Sequence, residues 1–148
     1  NCQPAKGVRE VYEALKDLPV HLVTSGKREI VLPAKNFDLA YREYLVLLKG
    51  SSIAITMSSL QEGWSRTAHE AMLLKTPVIG SGIAGMRELL EGGNQIVCED
   101  FEQLRVHVEK LLSSSQQRTL MGREGYEFAK QFSLERFKEE WCRFLKSV

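Results

Sequence analysis

Two glutamates stand with seven residues between them in Glu62-Gly63-Trp64-Ser65-Arg66-Thr67-Ala68-His69-Glu70. Upstream, Ile53-Ala54-Ile55-Thr56-Met57 reads as a buried strand running into Ser58-Ser59-Leu60-Gln61. Downstream the pattern turns helical, so Glu62 lies in a strand-to-helix loop and Glu70 lies about two turns on. The first N–H groups of such a helix lack intrahelical partners, and the helix dipole favours negative charge beside them. An anion site between two carboxylates suits a ligand with a phosphate in its middle and hydroxyl-rich groups on either side, as in a nucleotide sugar.

Plainer readings exist for each residue. Glu70 with Arg66 is an i, i+4 pair worth a few tenths of a kcal/mol. Glu62 is a loop carboxylate favoured by the nearby dipole. Thr67, Ala68, Ala71, Met72 and Leu74 fall on one arc of the helix, and Arg66, His69 and Glu70 on the other. His69 reads as a rim or structural histidine.

A second strand, Pro77-Val78-Ile79-Gly80, leads into Ser81-Gly82-Ile83-Ala84-Gly85-Met86-Arg87-Glu88. Glycines at 80, 82 and 85 imply a close approach of backbone or a positive φ. From Ser58 to Glu88, the paired glutamates, Ala71-Met72 and Thr76-Pro77-Val78 together resemble the donor-binding half of retaining glycosyltransferases of family 4 (group 1), which have the GT-B fold. The resemblance implies a sugar transferred from a nucleotide-diphosphate sugar with retention at the anomeric carbon. It implies that Glu62 contacts donor-sugar hydroxyls and that Gly63, Trp64 and Ser65 offer groups near sugar and phosphate. It implies that Glu70 holds the ribose hydroxyls and that the Gly82 and Gly85 loop lies beside the donor. Lys6 of Lys6-Gly7 matches the family's diphosphate lysine, so Glu62 and Lys6 are the catalytic candidates. Without the family, Lys6 is a solvated lysine at a helix start. The family's accompanying arginine falls at Asn1 or before the chain begins, and Ala84 replaces the first glycine of the family's Gly-Gly pair. The resemblance implies no cofactor and no metal.

The remaining elements must position these residues. Lys6 to Lys16 reads as a helix, with Val8, Val11, Tyr12 and Leu15 on one face. Val20–Thr24 and Glu29–Leu32 read as short strands around the turn Ser25-Gly26-Lys27-Arg28, and Pro33 ends the second. This region lacks the family's Gly-x-Gly, which leaves the nucleobase open. Asp38 to Lys49 reads as a helix, with Tyr41 and Tyr44 as packing residues. The nearly continuous apolar run Ile53–Met57 predicts a central parallel strand. Gln95–Cys98 is a last strand, Asp100 caps a helix to about Leu112, and Gln116 to about Lys130 is another. Ser133 caps a final helix with the stripe Leu134, Phe137, Trp141, Phe144 and Leu145, which is core in the plain reading. In the resembling family the C-terminal helices cross toward the partner domain, which implies that part of this stripe is exposed where that domain is absent. Alternating strands and helices predict an α/β fold, a Rossmann-like parallel sheet with helices on both faces and ligands at the strands' carboxyl ends. The whole chain, 1–148, reads as one nucleotide-sugar-binding domain, with C-terminal helices from about 115 to 148.

Composition excludes several classes. With 43% hydrophobic and 26% charged residues the chain supports a core, and a formal charge of +1 gives no reason to expect nucleic acid. No apolar run reaches about 18 residues, so no membrane span is expected. Cys2, Cys98 and Cys142 are widely spaced and odd in number, which fits a reducing cytoplasm and no metal or disulfide framework. A full-length enzyme at the inner membrane surface is compatible with this. Asn1-Cys2-Gln3-Pro4 is neither a signal peptide nor an initiator, so the chain is expected to be a piece of a longer protein. Three functions stay open: a transferase donor domain whose acceptor-binding N-terminal domain is absent, a non-catalytic nucleotide-sugar-binding module, and an epimerase of the same architecture. The first is expected to bind donor weakly and transfer nothing by itself.

Overall fold

The computed structural model describes residues 3–61 and 63–147. Asn1, Cys2, Glu62 and Val148 lie outside the described residues, and with them the expectations placed on Asn1 and Glu62.

A 3-10 turn, Pro4–Lys6, opens the structure, followed by α1 (Val8–Leu15), β1 (Val23–Ser25), β2 (Lys35–Phe37) and α2 (Tyr41–Gly50). Then come β3 (Ala54–Thr56), α3 (Arg66–Leu73), β4 (Val78–Gly80), α4 (Gly85–Gly92) and β5 (Ile96–Val97). Three helices close the chain: α5 (Phe101–Ser113), α6 (Ser115–Ala129) and α7 (Leu134–Ser147). All pairing is parallel, β1 with β2 in one sheet and β3-β4-β5 in another. The α/β reading with a parallel sheet therefore holds.

The pleat of β4 organises the interior. Val78 joins Leu48 of α2, Ala68, Ala71 and Met72 of α3, and Met86, Leu89 and Leu90 of α4. Ile79 points the other way, to Leu15 of α1 and to Leu104, Val108 and Leu111 of α5. Successive side chains enter opposite layers, which is how one strand ties helices on both faces together. Gln95 locks the register: its amide oxygen accepts the Val78 N–H at 2.9 Å, and its amide nitrogen donates to the Met121 carbonyl at 2.9 Å. No buried atom of that amide is left without a partner, as burial requires.

Three local expectations change. The strand at Glu29–Leu32 is not formed; the pairing strand is Lys35–Phe37, beyond Pro33. Ile30 and Leu32 are buried against Val8, Tyr12 and Ala34, so their alternation reports side-chain packing rather than backbone pairing. Asn36 secures the true strand, accepting from the Thr24 hydroxyl at 2.8 Å and donating to the Gly26 carbonyl at 3.2 Å. Second, β4 rather than β3 has a paired neighbour on each side. The apolar run of 53–57 reports helices packed over it, not the number of strands beside it. Third, the first helix does not run through Lys6, because Gly7 adopts φ +63 and separates the 3-10 turn from α1.

The stripe of α7 is not core. Leu134, Phe137, Trp141, Phe144 and Leu145 are all exposed, with Trp141 edge-on to both Phe137 and Phe144. Ser133 caps this helix as expected, its hydroxyl accepting the Arg136 N–H at 3.2 Å. Among the described residues no helix is long and apolar enough to cross a membrane.

Candidate functional site

Three chain segments meet at the carboxyl ends of β3 and β4. The Ala5 carbonyl, one residue before Lys6, accepts the Ser59 N–H at 3.0 Å and the Ser59 hydroxyl at 3.1 Å. Ser58 is buried, and its carbonyl accepts the Ser81 hydroxyl at 2.7 Å. The Ser81 N–H donates to the Thr56 carbonyl at 3.2 Å. These bonds fasten the opening turn with Lys6, the loop after β3 and the loop after β4 to one another. The turn that carries Lys6 is thus tied by hydrogen bonds to the loop after β3.

The start of α3 lies at the same edge. Ser65 is buried and caps the helix, its hydroxyl facing the Ala68 N–H at 3.5 Å. That commits the Ser65 hydroxyl to shaping the helix start, as an N-cap serine ordinarily does. Glu70 is not the surface carboxylate of the plainer reading, since its side chain is only 13% exposed. Arg66 is near it, Nε to Oε1 at 4.0 Å, but the hydroxyl of Tyr41 donates to the same oxygen at 3.0 Å. Tyr41 is the first residue of α2, whose far end is tied to the entry of β4 by the Thr76 hydroxyl donating to the Leu48 carbonyl at 3.0 Å, so the beginning of α2 lies toward the opposite, carboxyl edge. The Tyr44 hydroxyl is buried beside this group without a partner at hydrogen-bonding geometry among the described residues. Burial pushes its pKa up to about 12, with the Thr67 side chain opposing and Glu70 adding to the rise.

Trp64 turns to the other side. Its indole N–H donates to His69 Nδ1 at 3.1 Å, and its ring lies 4.7 Å from that of Phe132, centre to centre. His69 Nε2 is 3.0 Å from the Ala129 carbonyl. An Nδ1 that accepts and an Nε2 that faces a carbonyl require the neutral ring protonated at Nε2. His69 is thus structural, pinning the Trp64 loop to the end of α6. The Trp64 backbone remains beside Gly63 and Ser65, while its side chain serves this anchor.

The glycines have separate tasks. Gly85 is packed so tightly on Gly63 that a Cβ there would lie 1.8 Å from the Gly63 carbonyl oxygen. Gly82 has φ +64 and faces Val97. Ala84, between them, has φ 54 and ψ −133, backbone that only glycine adopts without strain. Ala84→Gly should therefore stabilise the chain by about 1 kcal/mol, the relieved strain exceeding the added chain entropy of glycine. Chemical denaturation gives the check, and a lowered midpoint at unchanged slope would refute the strain.

Sequence reasoning did not find Tyr41 as a partner of Glu70, nor the Trp64–His69–Phe132 anchor. No local pattern marks either. Among the described residues no group of three or more His, Cys, Asp or Glu is placed to hold a metal.

The profile of the group 1 glycosyl transferases matches residues 1–128. The chain belongs to this family. An uncharacterized glycosyltransferase of Methanocaldococcus jannaschii is 26% identical over 148 aligned positions, 90% of this chain and 42% of that one. Anabaena HepE, solved in complex with UDP, superposes with a TM-score of 0.85 at 19% identity, over 100% of this chain and 47% of HepE. The C-terminal domain of LpcC from Francisella tularensis, a group 1 family protein, gives a TM-score of 0.71 at 20% identity, over 88% of this chain and 80% of that domain. The GT-B, Rossmann-like fold is thus shared at low identity. The chain spans less than half the length of the M. jannaschii and HepE proteins.

Proposed function

We propose that this chain is the donor-binding domain of a retaining glycosyltransferase that moves a hexose-type sugar from a nucleotide-diphosphate sugar to an acceptor. The observation that carries the reading is the largely buried Glu70 carboxylate, held at the carboxyl edge of the sheet within a chain of the group 1 family. HepE, which shares the fold, was solved with UDP and with UDP-glucose, and this supports a nucleotide-sugar donor.

In this reading the ribose hydroxyls donate to Glu70, and the diphosphate lies against the start of α3 and the Lys6 turn. As the bond from sugar to diphosphate breaks, negative charge gathers on the leaving group. A lysine and the helix start, fixed beforehand, stabilise that charge without rearrangement. Glu62 contacts the donor sugar, and Gly63, Trp64 and Ser65 shape the loop around it. The loop of Gly82 and Gly85 forms the adjoining wall. No cofactor or metal takes part. The acceptor comes from an N-terminal domain, and the exposed stripe of α7 lies toward it. The site of action is the cytoplasm.

The test is calorimetric titration of the full-length protein with UDP, GDP, ADP and their sugar conjugates. One base should bind preferentially, and Glu70→Ala should weaken that binding about ten- to thirtyfold, the loss of hydrogen bonds to a charged group. Sugar release that requires an acceptor identifies a transferase; conversion without one identifies an epimerase. Unchanged affinity in Glu70→Ala would sink the placement of the nucleotide.

A further inference from the structure

We propose that Tyr41 is a positioning residue for the nucleotide, its hydroxyl holding the Glu70 carboxylate in the orientation that receives the ribose. The inference rests on the role given to Glu70 above and adds the residue that orients it.

Glu70 Oε1 has two suitors. Tyr41 donates to it at 3.0 Å across two helices, and Arg66 Nε stands at 4.0 Å one turn away on the same helix. The Arg66 side chain is 90% exposed, so its attraction is screened and worth little. A phenol donating to a carboxylate makes a charge-assisted bond, and it holds the carboxylate at a defined angle. Tyr41 is raised in pKa because ionisation would break this bond and set two anions side by side. The hydroxyl therefore stays a donor throughout the neutral range.

A carboxylate that accepts from two neighbouring hydroxyls must turn its free lone pairs toward both of them. With Oε1 fixed by Tyr41, Oε2 and the second lone pair of Oε1 remain for a diol. Without the Tyr41 hydroxyl the carboxylate is left between the exposed Arg66 on its own helix and the buried Tyr44 hydroxyl beside it, with neither in a hydrogen bond that fixes its angle. Tyr41 is itself 62% exposed, so its hydroxyl is not needed for the core.

The experiment uses the full-length protein with UDP, GDP and ADP, then the 2′-deoxy and 3′-deoxy forms of whichever binds most tightly. Tyr41→Phe should weaken the ribonucleotide by about tenfold while changing the deoxy forms less, so that discrimination between them shrinks. Phenol titration of Tyr41 by NMR should move toward the ordinary tyrosine range in Glu70→Gln. Equal weakening of ribo and deoxy forms would reduce Tyr41 to a structural residue and overturn the proposal. An unaltered Tyr41→Phe alongside a weakened Glu70→Ala would overturn it too, leaving the role of Glu70 standing. An unaltered Glu70→Ala would overturn both.

Discussion

Gly7→Ala should lower the thermal midpoint by about 10 °C. Two costs add at this position. The backbone sits at φ +63, which a side chain adopts at about 1–2 kcal/mol. A Cβ would also lie 2.2 Å from the Met57 carbonyl oxygen, a backbone atom at the end of the β3 run. Forcing these apart costs a further 1–3 kcal/mol or so by the measure of overpacked cores. For a chain of this size each kcal/mol shifts the midpoint by about 2–4 °C. Asparagine separates the costs, because it tolerates the left-handed region but carries the same Cβ. If strain in φ dominates, Gly7→Asn recovers much of the loss; if the contact dominates, the two variants melt together. A Gly7→Ala midpoint within a degree of the parent would show that the opening turn is not packed on β3 as described. The same contact explains why Gly follows Lys6: it lets the turn close on Met57 while Ala5 receives Ser59.

The glycine loop and the order of elements were legible because each leaves a local mark. Ser133 before a helical stripe announces a cap, and Val78-Ile79 between Pro77 and Gly80 announces a buried strand. Positions 29–32 misled for a physical reason. Ile30 and Leu32 alternate as strand residues do, yet they are buried without joining a sheet, while Lys35 and Phe37 are exposed in the strand that pairs. Tyr41 was read as packing because its partner is 29 residues away on another helix. Only the docking of α2 beside α3 reveals that its hydroxyl serves Glu70. The α7 stripe shows the converse: amphipathic spacing identifies a face that must be covered, not what covers it.

The glycine whose replacement should most damage the site is far less conspicuous than Gly7. Gly85 has no positive φ, and it opens α4, where many residues are tolerated. Its constraint comes entirely from the neighbouring loop, since an added Cβ would sit 1.8 Å from the Gly63 oxygen and 2.6 Å from the Gly63 carbonyl carbon. Gly63 is followed by Trp64, held by His69 and Phe132, and by Ser65, buried as the α3 cap. The β4 side is held by Ser81 on the Ser58 carbonyl. Gly85→Ala must therefore shift the two loops relative to one another, and losing one hydrogen bond to a charged group of the ligand costs about 1.5–3 kcal/mol. Nucleotide-sugar affinity should then fall by roughly ten- to a hundredfold. The overpacking cost of about 1–3 kcal/mol applies here as at Gly7, but without the added strain of a positive φ, so the thermal midpoint should fall less than in Gly7→Ala. Titration and melting of one sample decide the matter. Loss of affinity with a melt lowered less than in Gly7→Ala places the donor between the two loops. Preserved affinity in a folded Gly85→Ala would mean that the nucleotide sugar does not occupy this contact.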